Sequence, residues 1–257
     1  MERANEGIWL EPLGIMKRNK QTIVGVLVVG CLAALAVLIN RMSAGSDSHT
    51  MPPAPKPATM DAYWNQLLEV TPAAPRGSKS APYTIVEFGD FQCPQCGDMR
   101  PVLQTELDNL QGKANLMFIQ TPLPPSTHPY AIRAAEAAAF AAHYGKFWQM
   151  FDLLYTHQND LEPGNYDQYA ESLGLSGDAM RQATETRAYS KVVAKSRDLD
   201  DKIGIKVTPT VALRDNRAGK FLWVAQAGTG IRKAFADQGW TLPPSPNTGR
   251  MLPSEGE

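Results

Sequence analysis

The chain has 257 residues, 43% of them hydrophobic and 20% charged, which is enough for one buried core with appended segments. Its 25 basic and 26 acidic residues give a net charge of −1, so composition indicates no nucleic-acid-binding surface. Three cysteines are too few for a disulfide-stapled scaffold.

The N-terminal part is typical of a membrane anchor. Residues 1–21 are polar and include Lys17, Arg18 and Lys20, and residues 22–39 then run for 18 residues without a charge. A helix of that length spans about 27 Å, close to the thickness of a hydrocarbon core. Because basic residues precede the apolar run, the positive-inside rule predicts a cytoplasmic N-terminus at residues 1–21 and a single-pass signal anchor at residues 22–39.

Two other fates of this segment stay open. Ser43, Ala44 and Gly45 resemble a signal-peptide cleavage site, and the sequence around Cys31 resembles a lipoprotein cleavage box. The apolar run is long for a cleaved signal and continues for eight residues beyond Cys31. A retained anchor is therefore the preferred interpretation.

The remainder divides by composition. Residues 40–60 are small, polar and rich in proline, which predicts a semi-extended linker. Residues 61–240 hold the folded domain, which opens with a short helix at residues 60–70. The tail at residues 241–257 is rich in Pro, Gly and Ser, and we expect it to be disordered.

A strand followed by two cysteines dominates the domain. Residues 83–88 are β-branched and aromatic, and a Gly-Asp turn leads to Cys93-Pro94-Gln95-Cys96. Apolar residues then recur at helical period as far as Leu110. Pro94 suits the first turn of a helix, so Cys93 lies at the helix N-terminus, where free N–H groups and the helix dipole stabilise a thiolate. The pattern predicts a thiol–disulfide redox site.

Two other uses of the cysteine pair are weaker. A zinc site needs four ligands, and the third cysteine, Cys31, lies within the apolar run. A structural disulfide between Cys93 and Cys96 would close too short a loop to restrain much of the unfolded chain. We predict no metal and no cofactor beyond the redox-active Cys93–Cys96 disulfide.

The later segments predict an interrupted α/β fold. A second strand is expected at residues 114–120, helices at 129–143 and 147–154, N-caps at Asn165 and Ser176, and a helix at 189–203. A hairpin at 207–213 and 221–225 and a closing helix at 231–240 follow. Because 113 residues separate Cys96 from Pro209, whereas a βαβ unit needs only about 30, we expect a helical subdomain to be inserted at about residues 128–190.

The chain resembles the thioredoxin superfamily and, within it, the DsbA-like branch with a helical insertion. The residues that carry this resemblance are Val86–Phe91, Cys93–Cys96, His128–Ala131, Gly145–Trp148 and Val207–Thr210. The resemblance implies a bacterial extracytoplasmic thiol–disulfide oxidoreductase with cysteine-containing client proteins and a membrane redox partner. It also implies a cis Thr208–Pro209 bond that faces the cysteines and exposes backbone groups to a substrate strand. Neutral Gln95 differs from the histidine of DsbA, so it brings no positive charge to the thiolate.

Residue roles follow from position and from this resemblance. Cys93, at an exposed helix start, is the predicted nucleophile, and the more shielded Cys96 resolves the mixed disulfide. We expect Glu87 to be a buried acid that carries the Cys96 proton, although strand alternation leaves a solvated position open. The predicted substrate-contacting residues are Phe91, Pro94, Gln95, Thr208 and Pro209.

Other interpretations remain at this point. His128, just before Pro129, is expected to cap a helix, and Pro209 could be an ordinary strand-entry proline. The preferred activity is oxidation of dithiols in client proteins on the outer side of an inner membrane. The alternatives are a reductase or isomerase of the same fold, or a non-catalytic, chaperone-like module for envelope assembly.

Overall fold

A computed structural model describes residues 53–226, together with residues 236, 237 and 239. The predicted cytoplasmic segment and anchor, most of the closing helix at residues 231–240, and the tail at residues 241–257 lie outside the described residues. Within the described part, no helix is both long and apolar enough to cross a membrane.

One sheet of five strands organises the described domain. The strands are β1 (Arg76–Gly77), β2 (Tyr83–Gly89), β3 (Ala114–Gln120), β4 (Thr210–Asp215) and β5 (Lys220–Gln226). Their spatial order is β1-β3-β2-β4-β5; β2 and β3 are parallel and the other neighbours antiparallel. Strand β2 is central and six of its seven residues are buried, because helices cover both faces of the sheet. This burial excludes the solvated position that strand alternation left open for Glu87.

Eight α-helices are described. They are α1 (Pro57–Ala62), α2 (Trp64–Val70), α3 (Pro94–Asn109), α4 (Ala131–His143), α5 (Phe147–Thr156), α6 (Tyr166–Ser172), α7 (Gly177–Glu185) and α8 (Ser190–Ile203), with a 3₁₀ turn at Pro163–Asn165. Leu199 and Ile203 of α8 pack with residues of β2 and β3 in one core cluster. Helix α8 therefore covers the sheet, and the inserted helices are α4 to α7.

Several elements differ from the prediction in their bounds. Residues 57–60, expected to be extended linker, are helical, because Met60 is fully buried in the core beside the sheet. The two-residue strand β1 was not predicted, and β4 begins at Thr210 rather than at residue 207. Ser176 caps α7 as predicted, accepting a hydrogen bond from Ala179 N at 3.1 Å. Asn165 occupies the N-cap position of α6, but its amide donates to Asp160 O instead.

The insertion and the sheet share an aromatic core. Phe91, which follows β2, and Phe118 of β3 pack against rings of α5, with ring centroids 4.9 to 6.4 Å apart. The α5 rings are Phe147, Phe151 and Tyr155. Tyr155 also donates from its hydroxyl to Asp90 O at 3.3 Å. The insertion thus lies directly against the segment that carries the cysteines.

Candidate active site

The cysteine pair lies where β2 passes into α3. Cys93 occupies the N-cap position of α3, and Pro94 is its first residue, as the sequence predicts. The Cys93 carbonyl accepts the first helical hydrogen bonds, from Cys96 N at 3.1 Å and Gly97 N at 3.2 Å. Both thiols are free, so the structure represents the reduced pair.

The Cys93 sulfur lies beneath the loop that precedes β4. Its thiol donates to Thr208 O at 3.3 Å and to Gln95 Oε1 at 3.2 Å. The Thr208–Pro209 bond is cis, as the resemblance implies. Cys93 is only 2% exposed, so the prediction of an exposed nucleophile is wrong for this form. The sequence could not reveal this cover, because the covering loop lies 115 residues further along the chain.

The two thiols differ in acidity. A hydrogen bond from the Cys96 side chain lowers the pKa of Cys93 to about 6, against the opposing effect of burial. Burial raises the pKa of Cys96 well above its ordinary value, and the neighbouring Cys93 and Glu87 act in the same direction. The site therefore pairs one thiol that ionises readily near neutral pH with one thiol that keeps its proton.

Glu87 lies in the middle of the sheet. Its register partners are Phe118 on β3 and Val211 on β4, and it is 0% exposed. Neither carboxyl oxygen has a hydrogen-bond partner among the described residues. Burial, with a contribution from Cys93, raises the pKa of Glu87 to about 8, so the group holds a proton at neutral pH.

The predicted substrate-contacting residues differ in exposure. Pro94 and Gln95 are exposed beside the Cys93 sulfur. Thr208 and Pro209 are buried beside the same sulfur. Phe91 is 1% exposed and packs into the aromatic core, so the structure gives it no free surface for a substrate.

Three residues of the site were missed or misread from the sequence. Gln158, just after α5, donates from its amide to Phe91 O and to Cys93 O, both at 2.8 Å. The carboxylate of Asp90 accepts from Gln92 N at 2.7 Å and from Leu123 N at 2.9 Å. His128 does not cap a helix, because α4 begins at Ala131 and the His128 ring lies 2.6 Å from Asp90 Oδ2. Only the resemblance marked His128, and no local pattern marked Gln158.

Among the described residues, no group of three or more His, Cys, Asp or Glu side chains is arranged to hold a metal ion. The third cysteine, Cys31, lies outside the described residues.

Comparison with known proteins identifies the family. A family model described as thioredoxin matches residues 70–224, which include the cysteines, Glu87 and the Thr208–Pro209 loop. The chain belongs to the thioredoxin family. The helices α4 to α7 are inserted between β3 and the last two strands, as expected of the DsbA-like branch.

A solved structure with this fold is oxidised BdbD from Bacillus subtilis. Its TM-score is 0.55 at 24% identity, and the match covers 66% of this chain and 93% of that one. Disulfide bond formation protein D of Bacillus subtilis is 27% identical over 149 residues, which is 54% of this chain and 66% of that protein. The thioredoxin fold is thus supported by similarity in both sequence and structure.

A third relative is much longer. The protein named Na(+)/H(+) antiporter NhaA 1 from Salinispora arenicola is 32% identical over 221 residues, covering 83% of this chain. The chain spans about a third of that relative's length, 33%. That name describes the whole relative, whereas the similarity concerns one part of it.

Proposed function

We propose that this thioredoxin-family chain exchanges disulfides with cysteines of extracytoplasmic client proteins and works mainly as a dithiol oxidase. The observation that carries this proposal is the asymmetry of the cysteine pair. The pKa of Cys93 is lowered to about 6, whereas the pKa of the buried Cys96 is raised well above its ordinary value. One sulfur is suited to attack and to leave as a thiolate, and the other to resolve the intermediate.

Oxidation of a client begins from the Cys93–Cys96 disulfide. A client thiolate attacks the Cys93 sulfur, a client–Cys93 disulfide forms, and Cys96 leaves as a thiolate. A second client thiolate then attacks the client sulfur of this mixed disulfide and releases Cys93 as a thiolate. The client loses two electrons to the enzyme, which ends as a dithiol.

Glu87 supplies the proton that the leaving Cys96 needs. Its carboxyl group is protonated near neutral pH, since burial raises its pKa to about 8. Cys96 has an even stronger tendency to hold a proton, because its sulfur is buried beside Cys93 and Glu87. Transfer from Glu87 to Cys96 therefore removes a costly buried thiolate as it forms.

The client strand pairs with the backbone of Thr208. In the reduced form Thr208 O accepts from the Cys93 thiol, so this carbonyl already lies at the reacting sulfur. The exposed Pro94 and Gln95 form the side from which the client approaches. Backbone pairing suits an enzyme with many unrelated clients, since main-chain hydrogen bonds do not depend on the client's side chains.

The lowered pKa of Cys93 also favours oxidase over reductase activity. A stabilised thiolate stabilises the reduced enzyme, which makes its disulfide a stronger oxidant. Each turnover leaves a dithiol, so the scheme requires a membrane redox partner that accepts two electrons. An enzyme held at the outer side of the inner membrane by residues 22–39 would meet such a partner.

Activity is tested with purified protein. We expect rapid oxidation of a dithiol peptide, and a Cys93–Cys96 equilibrium with glutathione that lies towards the dithiol form. Slow oxidation with fast insulin reduction would favour the reductase alternative. Inactivity in both assays would support a chaperone-like binding module instead.

The anchor is tested in cells. The protein should stay in the membrane fraction at high salt, and a periplasm-dependent reporter fused after Pro82 should be active. Release of a shortened soluble form would contradict a retained anchor. Loss of membrane attachment in Cys31→Ser would indicate lipidation instead.

A further inference from the structure

Asp90 joins the two cysteines through its backbone. Its N–H donates to Cys96 Sγ at 3.5 Å. Its carbonyl accepts from Cys93 N at 3.1 Å and from the Tyr155 hydroxyl at 3.3 Å. One residue thus contacts both halves of the redox pair, and a shift of its peptide groups would move both sulfurs.

The side chain of Asp90 is held as firmly as its backbone. Its carboxylate accepts from Gln92 N, Leu123 N and the His128 ring, at 2.7, 2.9 and 2.6 Å. Backbone N–H groups can only donate, so both carboxyl oxygens of Asp90 act as acceptors. His128 then carries a proton on Nδ1. The Asp90 side chain is 0% exposed and that of His128 is 15% exposed.

This buried carboxylate affects the nucleophile. The negative charge of Asp90 opposes ionisation of Cys93, which acts against the groups that lower the Cys93 pKa. A buried charge also requires a partner, because water cannot solvate it. Gln95, the residue between the cysteines that could have carried a cation, is neutral. The other titratable groups at this site are Glu87, Cys96 and Tyr155, and all three are neutral or negative.

We propose that Asp90 and His128 act as a positioning pair, in which the carboxylate fixes the backbone around both cysteines and the imidazole offsets its charge beside Cys93. The proposal deepens the proposed function and rests on it, since it concerns the reactivity of the same sulfur. When it is protonated, His128 brings the positive charge that Gln95 lacks, through its contact with Asp90. His128 contacts neither sulfur, so it acts through Asp90.

The test separates charge from hydrogen bonding. His128→Asn keeps a side-chain N–H donor towards Asp90 but cannot become positive, whereas His128→Ala removes both. Cys93 is titrated in the purified, reduced full-length protein by the ultraviolet absorbance of its thiolate and by its alkylation rate against pH. We expect His128→Asn to raise the pKa of Cys93 by about 0.5 or more, with His128→Ala at least as large.

A double-mutant cycle locates the effect. In an Asp90→Asn background the charge to be offset is gone, so His128→Asn should no longer move the Cys93 titration. His143→Gln, an exposed histidine at the end of α4, is the matched control and should leave the titration unchanged. A His128→Asn titration curve identical to that of the native protein would overturn the proposal, whatever happens to stability.

The titration needs no client protein. A chain that failed to oxidise dithiols could still show the shift, and an active oxidase could lack it. Failure of the positioning pair is therefore distinguishable from failure of the proposed function.

Discussion

The sheet and the helical insertion each bury a glutamate, but only the glutamate of the insertion has hydrogen-bond partners among the described residues. Glu87 on β2 is 0% exposed and has no hydrogen-bond partner among the described residues. Glu136 on α4 is 5% exposed, and the Arg187 guanidinium contacts both of its oxygens at 2.7 to 2.9 Å. Arg133 adds a longer contact at 3.4 Å.

The difference separates a structural carboxylate from a reactive one. Arg187 binds both carboxyl oxygens of Glu136, and the pair ties α4 to the turn after α7. No described residue pairs with the Glu87 carboxyl group, so it stays protonated up to a pKa of about 8 and can release its proton to a nearby thiolate. Burial alone therefore does not mark a functional acid; Glu87 is also unpaired and is coupled electrostatically to Cys93.

The pH dependence of stability should show the contrast most strongly. The pKa of Glu87 is raised from 4.5 to about 8, so between these values the native protein holds a proton that the unfolded chain has lost. Native stability then falls as pH rises through this window, by on the order of 5 kcal/mol in total. In Glu87→Gln this loss disappears. The variant should match the native protein near pH 4.5 and be more stable at pH 8.

The pH dependence of stability is measured by urea unfolding of the reduced proteins at a series of pH values. Cys93 contributes the opposite trend above pH 6, because its pKa is lowered, and this contribution largely cancels between the two proteins. Exposed Glu185→Gln serves as the control. Glu87→Gln should also slow thiol–disulfide exchange by at least about tenfold. A stability difference that does not change with pH would contradict a buried, neutral Glu87.

Glu136→Gln should have the opposite sign. It removes the charge that Arg187 and Arg133 bind, and we expect a loss of about 2 kcal/mol of stability. The loss is smaller than for a fully buried pair, because the Arg187 side chain is 47% exposed and can hydrate. The rate of thiol–disulfide exchange by the folded protein should be unchanged. Arg181→Gln, which breaks an exposed pair with Asp178, is the control and should cost less than about 0.5 kcal/mol.

The smallest expected effect lies where the two regions meet. Gln158→Ala removes both hydrogen bonds from the insertion to the backbone at Phe91 and Cys93. We expect a loss of about 1 to 2 kcal/mol in unfolding experiments. Thiol–disulfide exchange should slow a few-fold, because the Cys93 carbonyl is held less firmly in the variant. Exposed Gln182→Ala provides the baseline, and equal behaviour of the two variants would show that the insertion does not support the site.

Local patterns predicted the part of the fold that contains the cysteines. Strand β3 has the predicted bounds, and α3 begins at Pro94 as expected, because each depends on neighbouring residues. The burial of Glu87 needed the whole sheet, since alternation cannot distinguish a central strand from an edge. The cover over Cys93, the ring of His128 at Asp90 and the amide of Gln158 join residues 38 to 115 positions apart. No sequence period encodes such contacts.

The central claim is that Cys93 exchanges disulfides and Cys96 resolves the intermediate. It is tested most directly by mixing purified reduced variants with a disulfide-containing peptide and recording intact masses. In Cys96→Ser, Cys93 attacks, one peptide thiol leaves, and the mixed disulfide should accumulate because no resolving thiol remains. The native protein should release both peptide halves, and Cys93→Ser should form no adduct at Cys96, since the raised pKa of Cys96 keeps it a thiol. An adduct on Cys93→Ser with none on Cys96→Ser would contradict the assignment.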